Sequence, residues 1–240
     1  MEAGLLSVLA LGFILGLKHA LEPDHIIAVS TIAAQSKKLI RSAMAGVFWG
    51  IGHTATLFIT GMAMIFMKGE IPEKWTMTLE FCVGIMLVYL GISSMISFKN
   101  VHVHKEHQDG GELICVHSHS HRGGHQHTNR SQHAYFNTKS TIVGLVHGLA
   151  GSAAMVLLTM STVDSAWEGA LYILVFGAGT VAGMLFFTTI IGIPFVLSAG
   201  KAKLNRGLAW VAGAVSTAFG IYYMYNLGFT EGLFNLWFQV

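Results

Sequence analysis

Apolar residues run along this chain in six long blocks, roughly 4–34, 43–67, 76–98, 140–162, 168–198 and 205–228, with short polar connectors between most of them. A helix needs about 20 mostly apolar residues to cross a bilayer, and every block meets that length. The first block exceeds one straight crossing at about 1.5 Å per residue. Polar residues interrupt it near its middle, so a break or a steep tilt is expected there. The fifth block is also long and contains Gly192 and Pro194. The pattern predicts an all-α polytopic membrane protein of six transmembrane helices, with no separately folded extramembrane domain.

Composition agrees. Of the 240 residues, 53% are hydrophobic and 11% charged, where soluble domains carry about 25% charged residues. The opening "MEAGLLSVLALGF" has neither the basic start nor the small-residue cleavage site of a secretory signal. It is expected to stay as the first span. Glycine is abundant, at 28 residues, and proline scarce, at 3. That suits membrane helices whose backbones approach closely.

Charge sets the expected orientation. The connectors after spans 1, 3 and 5 carry Lys37, Lys38 and Arg41, then Lys99, Lys105, Arg122, Arg130 and Lys139, then Lys201, Lys203 and Arg206. The opposite side has Lys68 and Lys74. Lysine and arginine mark cytoplasmic loops, so these three connectors are expected in the cytoplasm and both termini outside. The small net charge of +2 gives no case for a nucleic-acid partner.

The chain also repeats itself. "GLKHALEPDH" (16–25) aligns with "GLVHGLAGSA" (144–153), "GIGHTATL" (50–57) with "GAGTVAGM" (177–184), and "VGIMLVYLGI" (83–92) with "AGAVSTAFGI" (212–221). The offsets are 128, 127 and 129. Three helices per half is an odd number, so the halves face opposite ways across the membrane. An inverted 3+3 repeat is therefore expected, as in many transporters whose sites lie at the midplane between the halves. Residues 1–98 form the first repeat, 99–139 a flexible histidine-rich cytoplasmic loop, and 140–240 the second repeat. The repeat is unequal where chemistry would sit. His19 is matched by His147, but Asp24, His25 and His53 are matched by Ser152, Ala153 and Thr180.

The interruption in block 1 is "GLKHALEPDHI", with His19, Glu22, Asp24 and His25 within seven positions. On an unbroken helix Asp24 and His25 would lie about 140° and 240° around the axis from His19, too splayed to share an ion. Pro23 lacks the N–H that would bond the His19 carbonyl, and its ring clashes there. The helix is expected to break between residues 19 and 23 and to free carbonyl oxygens as further ligands. Such irregular backbone inside a membrane must line a cavity or be buried in protein. Four ionisable groups in this setting point to function rather than helix glue. Imidazoles with a carboxylate suit Ni(II), Co(II), Zn(II) or Cu(II), and suit Mg(II) or Ca(II) poorly.

The candidate ligands are His19, Asp24, His25 and His53, the last from "FWGIGHTATLF" in span 2, with Thr54 and Thr56 as candidates to orient it. His147 is a candidate ligand or gate, and Glu22 a candidate ligand or outer partner. Trp49, Phe48 and Tyr89 fit packing or interface roles. Cys82 fits packing, and Cys115 is a spare candidate thiolate. Nine of the thirteen histidines fall in residues 102–133: His102, His104, His107, His117, His119, His121, His125, His127 and His133. This segment cannot build a packed core and fits the gathering or buffering of metal.

"HALEPDH", a histidine followed after four residues by Asp-His, resembles the signature of the nickel/cobalt transporter family. "GIGHT" resembles that family's second motif, Gly-His followed by Ser or Thr. The compact six-span layout looks closest to the short UreH-like members of the wider nickel/cobalt transporter (NiCoT/NicO) group. The resemblance implies high-affinity transport of Ni(II), perhaps Co(II), across the cytoplasmic membrane. By position it carries the essential motif onto His19, Asp24 and His25, and the second motif onto His53. It implies a transported ion rather than a prosthetic group. It also implies a cytosolic nickel chaperone or a urease or hydrogenase maturation protein as recipient. Related exporters share a histidine-rich cytoplasmic loop.

Three classes of function therefore stand side by side. A secondary transporter importing Ni(II) explains the repeat and the buried ligands; no phosphate loop for nucleotides is visible. An inside-negative potential favours entry of a divalent cation by about 4.6 kcal/mol at 100 mV. Efflux by cation–proton exchange is its variant. An intramembrane metalloenzyme with Glu22 as general base lacks a His-Glu-x-x-His pattern. A sensor or store built on the loop leaves the membrane ligands unexplained.

Overall fold

The computed structural model describes residues 2–36, 38–67, 72–99, 103–108, 111–116, 129–150 and 165–238. Among these the helices are α1 (Glu2–His19), α2 (Pro23–Ala34), α3 (Leu39–Met67), α4 (Glu73–Lys99), α5 (Asn129–Ala150), α6 (Ala166–Leu197), α7 (Ala202–Tyr225) and α8 (Leu233–Phe238). Strands β1 (Val103–Gln108) and β2 (Gly111–Val116) pair antiparallel in the connector between α4 and α5. Both strands fall within the connector expected as a flexible histidine-rich loop. A two-stranded hairpin alone is marginally stable in water.

Among the described residues, four helices are long and apolar enough to span a membrane: α3, α4, α6, and α7 with its continuation to Thr230. The bent pair α1 and α2 makes a fifth if counted as one span. The expected sixth, 140–162, is helical through Ala150, and its remainder lies outside the described residues. Large apolar side chains face outward along these helices: Leu6, Ile59, Phe66, Phe186 and Tyr222 are exposed, while His25, His53, His147, Thr180 and Ser216 are buried. Polar groups inside and hydrocarbon outside is the arrangement a lipid solvent favours.

Block 1 breaks where Pro23 requires. α1 ends at His19, α2 starts with Pro23 at its first positions, and the two axes bend by 57°. Proline is tolerated there because a first-turn N–H has no intrahelical partner anyway. The His19 carbonyl does not become free as expected. It accepts the Glu22 N–H at 3.0 Å, and the Lys18 carbonyl accepts the Leu21 N–H at 2.9 Å. Pro194 does not break α6, which runs 32 residues to Leu197. Ser165 starts that helix, its hydroxyl oxygen accepting the Glu168 N–H. At the other end of the chain, α7 passes into a π-helical turn over Asn226–Thr230, then Gly232 at φ +86° leads into α8.

Close helix contacts occur at glycines, and they come in matched pairs. Gly16 of α1 meets the Phe176 carbonyl of α6, and Gly144 of α5 meets the Trp49 carbonyl of α3. Gly179 meets the Phe13 carbonyl, and Gly52 the Thr141 carbonyl. Between α4 and α7, Gly84 lies against Gly220 and Gly91 against Gly213. A side chain at any of these positions would strike backbone, so the small residue sets the helix separation. α2 sits inside the bundle, touching α4, α6 and α7.

Candidate metal site

The site forms where the helix break meets α3 and α5. His19 closes α1, and Asp24 and His25 lie in the first turn of α2. The bend removes the splay an unbroken helix would impose. On α3, Trp49 and His53 are four residues apart and share one face. On α5, Gly144 and Gly148 are also four apart, and they meet the backbones of Trp49 and His53. That approach carries His147 in beside the ligands of the first half.

Four imidazoles crowd this space. His19 Nε2 and His53 Nε2 are 3.1 Å apart. The ring centres of His25 lie 4.5 Å from His19, 5.3 Å from His53 and 4.1 Å from His147. His19, His25 and His53 each offer a ligand atom within 4.8 Å of the others, and so do Asp24, His25 and His147. His25 belongs to both groups. A first-row divalent ion sits about 2.0–2.1 Å from each histidine nitrogen. Donors around it are then separated by little more than 3 Å, the spacing His19 and His53 already have.

The carboxylates lie beside the rings. Asp24 Oδ1 is 3.2 Å from His25 Nδ1, and Asp24 Oδ2 is 2.8 Å from His147 Nε2. Glu22 Oε2 is 2.9 Å from His19 Nδ1. His25, His53 and His147 are buried, Asp24 is 21% exposed and Glu22 is 51% exposed. His25 Nε2, His53 Nδ1 and His147 Nδ1 are buried with no hydrogen-bond partner among the described residues. Each such atom costs about 1–3 kcal/mol when left unsatisfied. A site that keeps several of them is built to receive something.

All four expected ligands, with Glu22 and His147, thus meet around the helix break. Their grouping differs from a single four-ligand cluster: Asp24 joins His25 and His147, while His19, His25 and His53 form the all-nitrogen group. Thr54 and Thr56 do not orient His53. The Thr56 hydroxyl donates to the carbonyls of Gly52 and Leu145, and Thr54 Oγ1 is unpartnered among the described residues. Trp49 is buried and packs, as expected, against the histidine cluster. It stacks on His25 at 6.2 Å with planes 20° apart, and its ring lies 5.7 Å from that of His147. Its spacing of four from His53 was the available signal. Phe176 of α6 walls the other side, 5.4 Å from His19.

Cys82, expected as a packing residue, is exposed on α4. Tyr89 is also exposed, as suits a lipid-facing side chain. In the connector, His104 and His107 lie on β1 and His133 on α5 by backbone position. His102, His117, His119, His121, His125 and His127 lie outside the described residues, as do Ser152 and Ala153.

The fold and site define a helical membrane protein carrying a buried group of candidate metal ligands. The chain belongs to the NicO family, described as high-affinity nickel-transport protein, which it matches over residues 5–238. It is 58% identical to the urease accessory protein UreH of Bacillus sp. (strain TB-90), over 99% of each chain. It is 23% identical to a putative nickel/cobalt efflux system of Methanocaldococcus jannaschii, over 88% of each chain. It is also 26% identical to the chloroplast protein FOR GROWTH AND FERTILITY 1 of Arabidopsis thaliana, over 92% of this chain and 59% of that one. No solved structure matches it significantly. The family is described as a transport protein and the UreH relative as an accessory protein, and the metalloenzyme reading is set aside.

Proposed function

We propose that this chain is a secondary transporter that carries Ni(II), and Co(II) as a second substrate, across the cytoplasmic membrane into the cell. The observation that carries the proposal is the convergence of His19 with the buried His25 and His53 beside the helix break, within a lipid-facing bundle. Membership of a nickel-transport family supports the choice of ion. Neutral imidazoles also favour nickel and cobalt over the more abundant Mg(II) and Ca(II).

The matched glycine contacts support an inverted repeat of two three-helix halves. The α1–α6 contact at Gly16 and Phe176 has its counterpart between α5 and α3 at Gly144 and Trp49, each residue shifted by 127 or 128. The crossing of α4 and α7 maps onto itself, Gly84–Gly220 becoming Gly213–Gly91 at an offset of 129. In this reading 140–162 completes a sixth span, and the ion sits between the halves, where His147 of the second half meets Asp24 of the first. Rocking of one half against the other exposes the ion to each side in turn. The histidine-rich connector receives it on the cytoplasmic face, for delivery to a chaperone or a urease or hydrogenase maturation protein.

The direction is tested with purified protein in liposomes under an imposed inside-negative potential, following radioactive nickel. Potential-driven accumulation that Asp24→Ala sharply reduces at limiting metal supports import. Nickel movement only against a proton gradient would replace import with efflux, the reading favoured by the name of the archaeal relative. No nickel movement by intact protein in either regime would overturn the transport mechanism.

A further inference from the structure

We infer that Glu22 and Asp24 act from behind the imidazoles: each carboxylate takes the Nδ1–H of one histidine and so turns that ring's Nε2 toward the ion, without ligating the ion itself. The inference rests on the ion site proposed above and assigns roles within it.

The two histidines at the helix break repeat one arrangement. Glu22 Oε2 lies 2.9 Å from His19 Nδ1, and the opposite nitrogen of that ring faces His53 at 3.1 Å. Asp24 Oδ1 lies 3.2 Å from His25 Nδ1, and the opposite nitrogen of that ring is buried and unpartnered among the described residues. A neutral imidazole carries one N–H, and a carboxylate can only accept it. Fixing the proton on Nδ1 leaves the lone pair on Nε2. A carboxylate in this position also makes the ring a stronger ligand.

Two further observations separate these carboxylates from ligands. Glu22 occupies the N-cap position of α2, where a side-chain oxygen can accept an N–H of the first turn. It makes no such cap bond; its carboxylate is turned to His19 instead. Asp24 has both oxygens engaged, the second by His147 Nε2 at 2.8 Å. His147 is the exception among the four rings: its Nε2 faces Asp24, so it steadies the carboxylate across the interface between α2 and α5.

The test is a Ni(II) titration of full-length protein in detergent, with X-ray absorption on samples loaded below one equivalent. The connector histidines are common to all variants, so differences report on the helix break. Glu22→Ala and Asp24→Ala are expected to weaken binding about 10–100-fold, the usual cost of losing an outer partner. Glu22→Gln is expected to recover most of that loss, because an amide carbonyl still accepts the Nδ1–H; Asp24→Asn is expected to recover part of it, since one of its two acceptor oxygens becomes an NH2. Their absorption edge and imidazole count should match the wild type. Amide variants as weak as the alanine variants, with a changed edge, would make the carboxylates ligands and overturn the inference. Alanine variants that bind as tightly as the wild type would also overturn it. Wild-type affinity in His19→Ala and His25→Ala would instead remove the ion site itself. Glu22 is half-exposed, so its pair of variants decides the question if the Asp24 variants do not fold.

Discussion

His19 and His53, on different helices and 34 residues apart, hold Nε2 against Nε2 at 3.1 Å. Neutral imidazoles come this close only when one donates its proton to the other's lone pair. Two protonated rings would repel. The shared proton occupies the place where a divalent ion would bridge the same two atoms. His19→Ala or His53→Ala is therefore expected to reduce nickel uptake at limiting metal by more than the about 10–100-fold of an outer partner. Initial rates of radioactive nickel uptake in liposomes check this. Rates within threefold of wild type in a folded variant would remove that residue from the ligand set.

Trp49 should matter twice. It is buried and lies against His25 and His147. Trp49→Ala is expected to cost about 3–5 kcal/mol, as large aromatic truncations do, and to weaken nickel binding as the rings lose their wall. Trp49→Phe keeps an aromatic face and should retain most of the affinity. Thermal unfolding in detergent with and without Ni(II) separates the two effects.

Glycines of one sequence type should respond in opposite ways. A Cβ at Gly144 would strike the Trp49 carbonyl, whereas one at Gly207 meets nothing within 4 Å. Gly144→Ala is expected to destabilise the protein and push α5 from α3. Gly207→Ala, inside α7, should be neutral or stabilise by up to about 1 kcal/mol from helix propensity. Melting temperatures of the two variants are the measurement.

Orientation is open to direct labelling. Single cysteines at Lys38 or Lys201 are expected to react with an impermeant thiol reagent only from the cytoplasmic side, and one at Lys74 only from outside. The background must lack Cys82, which is exposed on α4, and Cys115. Reversal at all three positions would place the histidine-rich connector outside.

Removal of the connector histidines should leave the intramembrane step intact. Replacing the histidines between positions 102 and 133 is expected to lower capacity at high metal while leaving the half-saturating nickel concentration within about twofold. Loss of high-affinity uptake would make the connector part of the primary site.

Much of the architecture is written in the one-dimensional pattern. Apolar block lengths anticipate α3, α4, α6 and α7, because a bilayer demands one continuous stretch per crossing. The break at residues 20–22 follows from Pro23, whose missing N–H acts on its own turn. Pro194 shows the limit of that reasoning. There the helix continues to Leu197 although Pro194 lacks the same N–H.

Local chemistry alone identified the residues of the candidate site: His19, Glu22, Asp24 and His25 stand together in an apolar block, and His53 and His147 stand alone in theirs. Their pairing was not local. Whether Asp24 turns to His19 and His53 or to His25 and His147 depends on the 57° bend and on how closely α5 approaches α3. Likewise Trp49 acquires its place against two imidazoles only when Gly144 admits its backbone. Sequence by itself determined which groups are too costly to leave in lipid without a purpose. Tertiary structure alone decided which of them face one another, because side-chain direction across helices is set by crossing geometry rather than by spacing along the chain.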